Sequence, residues 1–188
     1  MTGTEDQASE FRVAVGHYVL GCTCDGLPLL FDEYASHAAL VERFAIEAGT
    51  PCCMTVRRNG ERWPFLVVAQ GYHPAGGGFG PALLLVPETQ RLFVGAGERI
   101  LAYDLGSLRR LWIDGAESGL TGWAQHGDVV LMSAELELAA WTTAGEKLWT
   151  TFVEPPWTFA VEEGAVRLDA MGAQRTFSLH AGPDTAAH

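Results

Sequence analysis

The chain has 188 residues, 48% of them hydrophobic and 19% charged, with 12 basic against 23 acidic side chains. That size and composition fit one domain with a core of its own. They exclude a disordered chain, and no apolar run reaches the roughly 18 residues of a membrane helix. The net charge of −11 repels phosphate backbones and anionic lipid, so neither nucleic acid nor a membrane is an expected partner. Met1-Thr-Gly-Thr-Glu-Asp-Gln carries acids where a secretory signal carries bases, which leads to an expectation of a cytoplasmic protein.

In chain order, a polar tail runs to about Glu10, and Phe11–Leu20 reads as a strand by its β-branched and aromatic content. Cys24-Asp-Gly26 supplies a turn and Leu27–Phe31 a short second strand. One helix is predicted over residues 36–48, capped by Ser36, striped by Leu40, Val41, Phe44, Ala45 and Ala48, and closed by Gly49 and Pro51. Residues 53–70 read as a hairpin around Asn59-Gly60, and Gly71–Pro81 as a glycine-rich loop. Beyond it ten strands are predicted: 82–86, 92–95, 99–104, 110–113, 129–133, 136–141, 147–152, 158–161, 165–170 and 175–179. The expected organisation is a single domain over 1–188, with N-terminal strands and helix over 11–86, degenerate meander repeats over 91–179, and disordered tails at 1–10 and 180–188.

Residues 91–112 align without a gap on 128–149, a period of 37 that matches Glu98 with Glu135, Leu101 with Leu138, Ala102 with Ala139, and Leu111-Trp112 with Leu148-Trp149. A shortened third copy runs from Thr158 to Leu179, with Val166, Leu168 and Ala170 in the places of Leu136, Leu138 and Ala140. A meander of this kind cannot bury its apolar faces alone, so neighbouring copies must stack. Trp112 and Trp149 are expected to wedge between adjacent sheets.

Leu92-Phe-Val-Gly-Ala-Gly, then Ile100-Leu-Ala-Tyr-Asp, then Leu111-Trp resembles the PQQ-like repeat of β-propeller proteins. The sequence departs from that pattern where Thr-Gly is expected, with Leu105-Gly-Ser-Leu in the first copy and Thr143-Ala-Gly in the second. The resemblance implies a mainly β fold of stacked antiparallel meanders. Propellers need at least four blades of four strands, roughly 160 residues of repeat, and the repeated region here spans residues 91–179, so the ring is expected to be incomplete. An incomplete ring leaves sheet edges and faces to be covered. Either the N-terminal strands and helix cap the assembly or a second copy does, as a homodimer.

Chemical motifs are sparse. Cys22-Thr-Cys24 and Cys52-Cys53 lack zinc-ribbon spacing and read as buried small hydrophobes, with soft-metal binding or redox activity as alternatives. Gly76-Gly-Gly-Phe-Gly80 has neither the Lys-Ser/Thr of a phosphate loop nor a following helix. His17, His73 and His126 form no metal-binding pair, and no metal or cofactor is expected. Surface aromatics are the remaining signal. Tyr72, His73 and Phe79 in the glycine loop, with Trp123, Trp141 and Trp157, are candidates for a rim that accepts a partner or ligand. The expected function is non-catalytic protein binding, an immunity-type inhibitor of a basic toxin being one form. The alternative is a small-molecule-binding protein or enzyme with a pocket at the Gly71–Pro81 loop and His73 among its groups.

Overall fold

The computed structural model describes residues 9–46, 49–73 and 79–184. Four sheets, antiparallel except for one parallel pairing in the first, follow one another along the chain, and none closes on itself. The first contains β1 (Glu10–Val15), β2 (Tyr18–Thr23), β3 (Leu40–Arg43), β4 (Thr50–Arg58) and β5 (Leu66–Tyr72), in the order β1-β2-β4-β5-β3, with helix α1 (Phe31–His37) between β2 and β3. The second is a simple meander of β6 (Ala82–Val86), β7 (Arg91–Ala96), β8 (Arg99–Asp104) and β9 (Arg109–Gly115). The third repeats it with β10 (Leu120–His126), β11 (Val129–Ala134), β12 (Glu137–Thr142) and β13 (Lys147–Phe152). The fourth has three strands only: β14 (Trp157–Glu162), β15 (Ala165–Ala170) and β16 (Ala173–Ser178).

Strand alternation explains how these sheets stack. On β7, Leu92 and Val94 face the first sheet while Phe93 faces the third. On β11, Val130 and Met132 face the second sheet while Val129 and Leu131 face the fourth. Both faces of the middle sheets are therefore buried along β7, β8, β11 and β12, and those strands read as largely apolar runs rather than as alternating ones.

The repeat is real, but its register differs from the gapless alignment. Leu92 pairs with Tyr103, Val130 with Trp141 and Val166 with Phe177, and each pair faces the preceding sheet. The offset through these hairpins is one residue more than 37 for the second copy and one less for the third. Backbone bonds keep the same count: Leu105 N–H to Gln90 O, Thr143 N–H to Asp128 O, and Leu179 N–H to Gly164 O. Matching Leu101 to Leu138 places side chains on opposite faces, because a one-residue slip inverts a strand. The offset returns to 37 at Trp112 and Trp149, since the β12–β13 turn is a residue shorter than the β8–β9 turn.

The first sheet departs most from expectation. Phe11–Leu20 is a hairpin that turns at Gly16-His17, with Gly16 at φ 57°. Leu27–Phe31 forms a turn leading into α1, not a strand. The helix exists but lies over Phe31–His37, and the predicted 36–48 segment contains β3, paired in parallel with β5. Leu40 packs towards the second sheet and Val41 towards α1, so adjacent residues of β3 are part-buried on opposite faces, and over a few residues that mimics a helical stripe. Ser36 sits in the last turn of α1, where its hydroxyl donates to Glu33 O rather than capping a start. Residues 47 and 48 lie outside the described residues. Strand β10 had no predicted counterpart, because Gly122 and the polar Thr121 and Gln125 dilute its apolar content.

Both ends of the stack are closed by the chain's own residues. At the N-terminal end α1 lays Phe31 on Cys53, Val67 and Ala69, covering the part of the first sheet's outer face that β4 and β5 form at those residues. At the other end Phe159, Val161, Val166 and Leu168 face inward, while Thr158, Ala160 and Arg167 are exposed, with Arg167 paired to Glu162 at 3.0 Å. That polar face is what a terminal repeat needs. Within the segment expected as a tail from residue 180, residues 180–184 are described: His180 bonds Asp128 at 3.0 Å, and Gly182 lies under Trp149.

Candidate functional site

The six aromatic and histidine candidates fall into two groups. Trp141, 1% exposed, and Trp123 lie inside the second interface with Phe93 and Trp112. Trp112 stacks on Trp141 with ring centres 5.4 Å apart, and Trp123 meets Trp141 edge-on at 5.7 Å. Trp141 belongs to this core because it holds the position that Tyr103 holds one sheet earlier. The same contact recurs one sheet later, where Trp149 meets Phe177 at 5.5 Å. Trp112 Nε1 donates to Gly145 O at 2.6 Å and Trp149 Nε1 to Leu179 O at 2.8 Å, so each outer-strand indole is bonded into the next sheet.

Tyr72, His73, Phe79 and Trp157 lie along one side of the stack, at the β7–β8 and β11–β12 turns. A depression of about 810 Å³ is lined by His73, Phe79, Glu98, Arg99, Asp114 and Glu135, among others. A second, of about 500 Å³, is lined by Phe79, Glu135, Pro155, Pro156, Trp157 and Phe159. Phe79 and Glu135 border both, so the two form one groove that crosses from the first sheet to the fourth. Residues 74–78 of the predicted glycine loop lie outside the described residues.

The groove is built on turns held by backbone bonds. Ala116 N–H donates to Glu98 O, Leu120 N–H to Gly97 O and Glu135 N–H to Gly119 O, which fixes the linker between the second and third sheets across both turns. Gly119 has φ 110°, a backbone conformation that favours glycine, and the Phe79 ring packs against it, 3.4 Å from where a Cβ would stand. Trp157 Nε1 donates to Glu135 O at 2.8 Å, leaving its indole part-buried against the groove wall. Tyr72 is buried, and its hydroxyl donates to Asp25 Oδ1 at 3.2 Å. Burial, with Asp25 beside it, pushes the Tyr72 phenol up to about 12. Tyr72 therefore supports the floor, while His73 is exposed at the mouth.

The acids of the rim were not singled out by sequence, although Glu98 and Glu135 stood out as a repeat match. Each of two adjacent turns carries one glutamate, although in the structural register Glu98 corresponds to Leu136, one residue past Glu135. Asp114 is engaged by Lys147 at 2.8 Å, whereas Glu98 and Glu135 have no salt-bridge partner among the described residues. Arg99, the base in the groove, lies over the Phe44 ring at 4.6 Å.

Cys22 and Cys24 have sulfurs 3.8 Å apart, Cys52 lies on the same side of the sheet and Cys53 on the other, under α1. Among the described residues no three metal-ligating side chains converge. Burial pushes the Cys52 and Cys53 thiols up to about 12 and raises those of Cys22 and Cys24 as well.

No family model and no curated protein matches the chain. Among solved structures, BamB from Moraxella catarrhalis, a PQQ-like β-propeller, matches with a TM-score of 0.53 at 14% identity over 92% of this chain. The fold is an incomplete propeller. Its sheets are blades, and the chain spans 47% of the BamB chain. A fragment of HIRA matches with a TM-score of 0.45 at 8% identity, covering 92% of this chain and 53% of that one. No helix among the described residues is long and apolar enough to cross a membrane.

Proposed function

We propose that this half-length propeller is a non-catalytic protein-binding module that receives a basic partner segment in the groove between His73 and Trp157. The observation that carries the reading is the closure of both ends. The helix packs on Cys53, Val67 and Ala69 of the first blade's outer face and the last blade ends in a polar face, so Phe79 and Trp157, on the side of the stack, do not belong to either end face. Part-exposed aromatics held in place by backbone contacts are typical anchors of protein recognition. Glu98 and Glu135, without bases of their own, favour a cationic chain by charge. The overall charge of −11 draws such a partner from a distance. An immunity-type inhibitor of a basic toxin is one form of this function. The same closure supports a monomer over a homodimer that shares a ring.

Lysine- or arginine-rich peptides carrying an aromatic residue, selected on the wild type, test the proposal. Changing Phe79 and Trp157 to Ala should abolish their binding, and Glu98→Gln with Glu135→Gln should weaken it and flatten its salt dependence. Undiminished binding by both variants, or selection of acidic peptides, would overturn it. The second reading, a small-molecule site at the His73 end, would instead show ligand-induced thermal stabilisation that His73→Ala removes.

A further inference from the structure

A separate feature lies at the other side of the first blade, where an acidic protein gathers positive charge. Strand register sets Arg12 opposite Gly21 and Gly21 opposite Thr55, so that the three lie on one rung across β1, β2 and β4. The neighbouring rung places Arg57 beside Val19. Arg62 enters from the β4–β5 connection, and Tyr34 from α1. Together they line a small hollow of about 50 Å³. That is room for one or two waters at about 30 Å³ each, the scale of a single small anionic group.

Gly21 makes the hollow possible. A Cβ there would lie 2.6 Å from Thr55 Oγ1 and 3.8 Å from Arg12 Cγ, filling the floor between the hydroxyl and the first guanidinium. The basic groups are only partly used by the fold. Arg12 bonds Glu10 through Nε at 2.8 Å and reaches the Tyr34 hydroxyl at 3.4 Å. Arg57 Nη1 donates to the backbone oxygen of Glu61 at 2.9 Å. Neither Arg57 nor Arg62 has a carboxylate partner among the described residues. Arg62 lies over the Trp63 ring at 4.5 Å, which holds its plane at the rim.

We infer that this hollow is an oxyanion site, taking a phosphate monoester or a carboxylate between Arg57 and Arg62, with the Thr55 and Tyr34 hydroxyls as further donors. Guanidinium pairs are suited to such groups because each presents two parallel N–H bonds to two oxygens. Glu10 neutralises much of Arg12, which leaves Arg12 a positioning residue and the other two arginines the binding ones. The site shares no lining residue with the groove.

Inorganic phosphate, phenyl phosphate and acetate are titrated into the full chain at ionic strength matched with chloride, reading thermal midpoint and calorimetric binding. The expected result is a saturable rise in midpoint with phosphate and phenyl phosphate, or with acetate alone if the natural group is a carboxylate. Each guanidinium removed in Arg57→Gln and Arg62→Gln should weaken binding about tenfold. Gly21→Ala should block the hollow, and the arginine variants keep the test valid if that change disturbs the sheet. No response beyond chloride to any of the three anions, or a response that survives the double arginine variant, would overturn the inference.

Discussion

The substitution Trp149→Phe tests the stacking of blades at a single bond. Trp149 is 8% exposed, meets Phe177 edge-on, and donates its indole N–H to Leu179 O at 2.8 Å. Phenylalanine keeps most of the apolar contact and deletes the donor, leaving a carbonyl at the blade interface unpaired. The cost is about 1–3 kcal/mol, and for a chain of this size each kcal/mol lowers the thermal midpoint by roughly 2–4 °C. Trp149→Ala removes the ring as well and costs about 3–5 kcal/mol, a large share of the roughly 5–15 kcal/mol that holds a domain together. Because each blade touches only its neighbours, the loss should be local. Hydrogen exchange read by strand should show protection falling in β14–β16 while β4 and β5 keep theirs. An unchanged midpoint in Trp149→Phe, or protection lost equally in every blade, would refute the reasoning.

Two further substitutions probe other joints of the fold. Glu42 on β3 accepts from the buried Tyr103 hydroxyl and pairs with Arg110 at 2.6 Å, so it ties the first blade to the second. Glu42→Ala should cost about 1–3 kcal/mol by denaturant unfolding, and Glu42→Gln, which retains an acceptor, clearly less. Equal losses would show that the bond is unimportant. The buried thiols give a pH dependence: Cys52 and Cys53 sit at about 12 in the fold against an ordinary 9.0. As pH rises through the ordinary value the unfolded chain releases protons that the fold retains, so stability falls between about pH 9 and pH 12. Cys53→Ala should reduce that slope in thermal melts, without abolishing it because Cys52 and Tyr72 contribute in the same direction. A slope identical to wild type would contradict the assignment.

What the sequence disclosed follows from how locally each feature is encoded. The tight hairpins of the second, third and fourth blades were legible because turn residues and apolar runs alternate at short range, and Leu111-Trp112 with Leu148-Trp149 marked the repeat. The register within it was not. Glu98 and Glu135 match in letters, yet a turn one residue shorter before Trp149 hides the one-residue slip, and only backbone pairing reveals that Trp141 takes the place of Tyr103. For the same reason Trp123 and Trp141 read as surface candidates although they fill an interface. The first blade was least legible, since β3 joins β5 from a distance through a parallel pairing that no local pattern announces. The groove itself was half visible. Phe79 and Trp157 were named from sequence, whereas their placement along one depression depends on turns bonded across blades.

The functional reading depends on the end faces of the stack needing no second copy, one lying against α1 and the other being the polar side of the last blade. Light scattering in solution measures this directly. The account requires a mass of 20.3 kDa that does not change with concentration. A stable species of twice that mass, dissociated by a charge placed on the exposed side of β15 or β14, would show that the end face is an interface and contradict the account.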